Sequence, residues 1–220
     1  PDDKIQPADK GREFMNAEKK LLLLVFVVSA AAVFTGCAGL YVGGGASYVN
    51  GGGEPASYRG ISNNLIILPK MNPAIGYYGE IGKIGRDGTM QISYINAALE
   101  GEHSGKKYEC AYNKITAGGR FFFERVSGEI GFYIPVNLSM SFINIPGASG
   151  QEAVSYSGLG IEGGLGMRVP LGENFMIITD ALWVIDTLGS ASTKAASGKL
   201  EESMWLMGPA LRAGAFFILN

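Results

Sequence analysis

From residue 40 onward the chain is built on alternation. In its last stretch, 205–220, Trp205, Met207, Pro209, Leu211, Ala213, Ala215, Phe217 and Leu219 form one series. Leu206, Gly208, Ala210, Arg212, Gly214, Phe216 and Ile218 form the other. Successive strand side chains face opposite sides, so the first series makes one unbroken apolar face and Arg212 falls behind it. A soluble sheet turns its apolar face onto a core, whereas a strand in a bilayer shows that face to acyl chains.

Seven earlier stretches follow the same rule. Strand one, 40–49, sets Leu40, Val42, Gly44, Ala46 and Tyr48 against Tyr41, Gly43, Gly45 and Ser47. Strand two is 74–84, with Glu80 on its polar side, and strand three is 89–99. In strand four, 114–125, Ile115, Ala117, Gly119, Phe121 and Phe123 oppose Thr116, Gly118, Arg120, Phe122 and Glu124. Strand five alternates most cleanly, from Glu129 to Phe142. Its Pro135 lacks a ladder donor, which predicts a bulge or irregularity there. Strand six, 158–169, places four glycines with Glu162 and Arg168, and strand seven, 175–187, is apolar except for Asp180, Asp186 and its threonines. Short turns at 86–88, 126–128 and 170–174 alternate with long polar loops at 50–73, 101–113 and 189–203.

Eight strands, short turns and long loops predict an all-β, eight-stranded antiparallel up-and-down transmembrane β-barrel. Outward aromatics fall at strand ends: Tyr48, Tyr77, Phe142, Trp183 and Trp205 towards the loops, and Phe121, Phe123, Phe132, Phe175 and Phe217 towards the turns. These positions suit two interfacial girdles. A soluble binding barrel would reverse the faces, leaving the bare apolar set in water.

The inward set carries Glu80, Arg120, Glu124, Glu129, Glu162, Arg168, Asp180 and Arg212. Isolated charge inside so narrow a barrel is costly, so these residues are expected to pair across the lumen. Met176, Ile178, Leu182, Val184 and Leu206 would form an apolar inner wall, with strand six's glycines supplying space opposite. The plain alternative is a salt-bridged plug that only stabilises the barrel.

The amino end adds an export signal to this picture. Residues 1–14 are polar and patternless and are read as upstream sequence outside the fold; 15–38 reads as a cleavable signal peptide, and 39–220 as the barrel. Ordinary cleavage would leave Gly39 first, while Phe34-Thr35-Gly36-Cys37 offers a lipoprotein alternative. The early start of strand one favours the former. Cys37 and Cys110 are then expected to form no disulfide. Net charge of −2 with 33 glycines and 17% charged residues gives no reason to expect a nucleic-acid partner. His103 is the single histidine, so neither a catalytic constellation nor a metal site is expected, and no cofactor.

Residues Gly39 to Tyr48 at the start and Arg212, Gly214, Phe217 and Leu219 at the end resemble the small bacterial outer-membrane barrels, the superfamily of the OmpA membrane domain, OmpX and OmpW. The spacing of the last four is similar to that superfamily's C-terminal assembly signal, with Leu219 where an aromatic usually stands. The resemblance implies an outer-membrane protein handled by the barrel-assembly machinery, with periplasmic termini and extracellular loops. An OmpW-like member would pass small hydrophobic molecules; a surface adhesin would contact host proteins through its loops.

Overall fold

Strands rather than helices form here because apolar residues recur every second position and 33 glycines punctuate the chain. The computed structural model describes residues 39–51, 57–59, 65–67, 70–85, 87–103, 106–123, 130–146, 153–192 and 197–219. The elements are β1 (Leu40–Val49), β2 (Ser57–Arg59), β3 (Leu65–Ile67), β4 (Lys70–Met71), β5 (Ala74–Ile84), β6 (Gly88–His103), β7 (Lys106–Phe122), β8 (Gly131–Ile145), β9 (Val154–Pro170), β10 (Phe175–Ser192) and β11 (Ser197–Leu219). No helix occurs among the described residues.

Eight of these strands pair antiparallel in sequence order, and the ring closes where β1 meets β11, Leu40 opposite Leu219 and Tyr48 opposite Leu211. β2 and β3 form a separate short antiparallel pair, and among the described residues β4 joins the ring through β6. A closed ring leaves every central backbone group paired, which is the condition for crossing hydrocarbon with strands.

The strands run further than the polarity pattern predicts. β6 and β7 continue through most of 101–113, and β10 and β11 through most of 189–203. The reason is that the faces change meaning along each strand. Beyond the outward aromatics the outer face turns polar, with exposed Glu100, Glu102, Lys107 and Glu109, while the inner face turns apolar. Ile95, Leu99, Cys110, Tyr112, Ile143, Ile145, Tyr156 and Leu188 are all buried there. A stretch whose outer face meets water reads as a loop in sequence, yet it is a strand with an ordinary core.

Two prolines show how the ladder absorbs a missing donor. At Pro135 there is no bulge: β8 keeps one register on β9, and only the pairs between Tyr133 and Val136 are missing. The register shift lies instead in β10, between Leu188 and Ser190. Pro209 sits just past the last β1–β11 pair, Tyr48 with Leu211, so it removes no bond from that seam.

Candidate functional site: the barrel interior

The inward residues stack in three layers. At the turn end, Tyr41 meets Phe216 edge-on at 5.7 Å, and Met176 and Ile178 are buried nearby. The Arg168 guanidinium lies 4.4 Å from the centre of the Phe122 ring in the same end of the barrel.

The middle layer holds two ion-pair clusters. In the first, Arg120 from β7 reaches two carboxylates on different strands. Its Nη1 donates to Glu80 Oε1 at 2.5 Å and its Nη2 to Asp180 Oδ2 at 3.0 Å. Tyr41 donates to Glu80 at 2.7 Å, and Tyr133 to Asp180 at 2.7 Å. In the second, Glu162 takes Lys114 Nζ at 2.7 Å and Arg212 Nη2 at 2.6 Å. Lys114 also reaches Asp186 at 2.9 Å, and Ser139, Ser141 and Tyr112 donate to the same carboxylate. Asn137 bridges Gln91 and Glu162 at 3.1 and 3.3 Å. All of these charges are at least nine-tenths buried, so each depends on its partners rather than on water.

Alternation put Glu80, Arg120, Glu162, Asp180 and Arg212 on the inner face, and the structure brings them into these clusters. Arg168 lies nearer the turn end, and Glu124 and Glu129 fall outside the described residues. Lys114 and Asp186 complete the second cluster and were missed as members. Parity alone would have found both: Lys114 shares a face with Arg120, and Asp186 with Asp180.

The expected inner wall does not form one surface. Met176 and Ile178 lie below Asp180, opposite Phe216 and Gly214, whereas Leu182, Val184 and Leu206 lie above it. The inward glycines of β9 leave no space either. A β-carbon on Gly164 would collide with the Ala181 carbonyl oxygen, and one on Gly160 with Asp186 Oδ1. Gly166 is likewise covered by the Tyr133 ring. Glycine here lets neighbours close in, as close-packed interiors require. What remains between the upper cluster and the apolar layer is a cavity of about 20 Å³, lined by Val49, Gly51, Ile95, Leu99, Val184, Leu206 and the charged groups beneath. That is room for about one water molecule.

The outer wall is the reverse of the lumen. Tyr77, Trp183 and Trp205 are exposed towards the loop end, with Tyr48 and Phe142 half-buried on the same face. Tyr94, which alternation also turns outward, is exposed at the same end although it was not counted among the girdle aromatics. Phe121, Phe123, Phe132, Phe175 and Phe217 are exposed towards the turn end. Between them run Ile134, Val136, Leu138, Ile161, Leu165 and Leu211, all exposed. In the closing strand Arg212 points inward to Glu162, while Phe217 and Leu219 face outward. Gly214 is pressed between neighbours: a β-carbon there would lie 2.6 Å from the Tyr78 hydroxyl and 2.7 Å from the Gly44 carbonyl oxygen.

A closed ring with a charged, paired interior and a continuous apolar exterior between aromatic ends defines a transmembrane β-barrel with a packed lumen. In sequence the chain matches no family model and no curated protein. Solved structures do share its fold. The outer membrane protein OprG from Pseudomonas aeruginosa superposes with a TM-score of 0.60 at 9% identity, over 84% of this chain and 97% of that one. A major outer membrane protein from Thermus thermophilus gives 0.52 at 10% identity, over 83% and 100%. These two superpositions give the chain the fold of the small outer-membrane barrels, the class its first and last strands resemble. Ail of Yersinia pestis, in complex with the heparin analogue sucrose octasulfate, gives 0.47 at 16% identity, over 83% and 100%.

Proposed function

We propose that this protein is an outer-membrane barrel that takes up small hydrophobic molecules through its extracellular half, a narrow OmpW-like route rather than a water-filled pore. The observation that carries this reading is the reversal of the inner face. Above the ion pairs the lumen wall is apolar (Ile95, Leu99, Ile143, Leu188, Leu206), so an apolar solute is at home there and a hydrated ion is not. The paired charges below form a floor, and crossing it would strip buried ions of their partners. The way out is therefore sideways, at the top of the β1–β11 seam. There Asn50, Gly51, Gly208 and Pro209 line the cavity, and β11 continues after β1 has ended at Val49. Termini are periplasmic and the long hairpins extracellular.

Uptake of a fluorescent apolar reporter into liposomes carrying the barrel tests this. Leu206→Gln puts an amide into the apolar layer, at roughly 1–3 kcal/mol if it finds no partner. It should slow the reporter about tenfold while leaving heat-modifiable gel mobility unchanged. Equal uptake by both proteins, or none above empty liposomes, removes the transport reading. The rival is an adhesin on a sealed barrel. Its support is that β6–β7 and β10–β11 project beyond the outward aromatics and present Glu100, Glu102, Lys107 and Glu109 outward.

A further inference from the structure

Among the described residues, the apolar layer includes one buried side chain from outside the eight ring strands. Met71, on β4, is 2% exposed and is buried in the same apolar core as Val49 and Leu99. It rests on bare backbone: a β-carbon on Gly51 would lie 2.7 Å from Met71 Cβ, and Gly51 itself lines the cavity. Only a residue without a side chain lets Met71 seat so deeply.

Among the described residues, the attachment of this stopper is slight. β4 pairs with β6 at two positions, Lys70 with Glu102 and Met71 with Gly101, and the Asn72 N–H donates to the Glu100 carbonyl at 2.7 Å. The continuous β5–β6 ladder begins only at Tyr77, opposite Asn96. Carried upward, that register would set Met71 opposite Glu102, yet it stands opposite Gly101. The chain therefore slips by one residue between strap and strand. The slip contains Pro73, which has no N–H to give. A short ladder separated from a long one by a slip and a proline opens as its own unit, at less cost than the wall beneath it. Methionine suits the tip, being apolar, unbranched and able to withdraw through a narrow gap.

We propose that β4 is a hinged lid on the apolar compartment, with Met71 as its stopper, Gly51 as its seat and Asn72–Pro73 as its hinge. This rests on the uptake reading above for its purpose, but the motion can be measured without it. In chains with Cys37 and Cys110 replaced by serine, the Lys70→Cys/Glu102→Cys pair staples the strap across its own ladder. Oxidation should lower reporter uptake at least tenfold, and dithiothreitol should restore it. Met71→Ala, which removes the stopper, should raise uptake several-fold. Separately, Met71→Cys in the folded barrel should react with a membrane-impermeant maleimide within minutes.

Equal uptake in the oxidised and reduced forms, with the disulfide verified by mass, would overturn the lid; so would unchanged uptake in Met71→Ala. A Met71→Cys chain still unlabelled after hours would overturn it as well. Rapid labelling of Met71→Cys in a barrel whose parent takes up no reporter would leave the lid standing and remove the uptake reading alone.

Discussion

Arg120 is the residue on which the lower half of the lumen turns. It is 2% exposed, and it is the cation shared by Glu80 and Asp180, each also held by a tyrosine hydroxyl. Removing it leaves two buried carboxylates facing each other, and loss of one partner of a buried pair typically costs about 3–5 kcal/mol. Arg120→Met should lower unfolding stability in lipid by that amount, read from urea titration of the refolded barrel. A loss below about 1 kcal/mol would mean that water reaches the cluster and the lumen is wet. Gly164 teaches the opposite lesson. Its missing side chain is occupied by the backbone of β10, so it cannot be filled without moving a strand.

At the scale of one element, β8 separates lipid from lumen residue by residue. Val136 is 42% exposed on the outer face between the aromatic ends, and its neighbour Asn137 is 3% exposed between Gln91 and Glu162. Val136→Arg should cost about 2–4 kcal/mol by placing a charge against acyl chains near the midplane. Asn137→Arg would be tolerated by a hydrated lumen; in this packed one it breaks two hydrogen bonds and adds volume beside Glu162. It should therefore destabilise as well, with overpacking alone worth about 1–3 kcal/mol. Parallel urea titrations of the two variants check both values, and a neutral Val136→Arg would contradict a lipid-facing wall. The long reach of β6 and β7 belongs to this scale too. Above the bilayer, hairpin pairing persists because an apolar inner face remains to be buried, whatever the outer face carries.

For the whole molecule, closure is the decisive event. β11 has the longest run in the ring and pairs on one side with β10 and on the other with β1. Phe217 sits opposite both Val42 and Phe175, so it joins the first strand to the last at the turn end. Deleting residues 217–220 should leave an exported chain that fails to close, found in the soluble periplasmic fraction and degraded. Cell fractionation and surface proteolysis report the outcome; normal outer-membrane recovery of the shortened chain would show that these residues carry no assembly information.

Alternation in sequence determined the number of ring strands, their faces and the inversion of apolar and polar sides, because side-chain direction in a strand depends only on parity. It also put Lys114 and Asp186 on the inner face, and Asp186 stood out in an otherwise apolar strand, but parity does not say which charges meet across the ring. Three things were decided only by the tertiary structure. The strands end where pairing ends, not where polarity changes, since a hairpin above the bilayer follows the rules of a soluble sheet. The inner glycines mark contact rather than space, since what fills a missing side chain comes from another strand. Met71 belongs to the core because a one-residue slip in register turns an odd-numbered residue inward, in a stretch that reads as loop but pairs with β6. Parity is local and can be read along a chain; which residues meet across a ring depends on register between distant strands, and that is set only when the barrel closes.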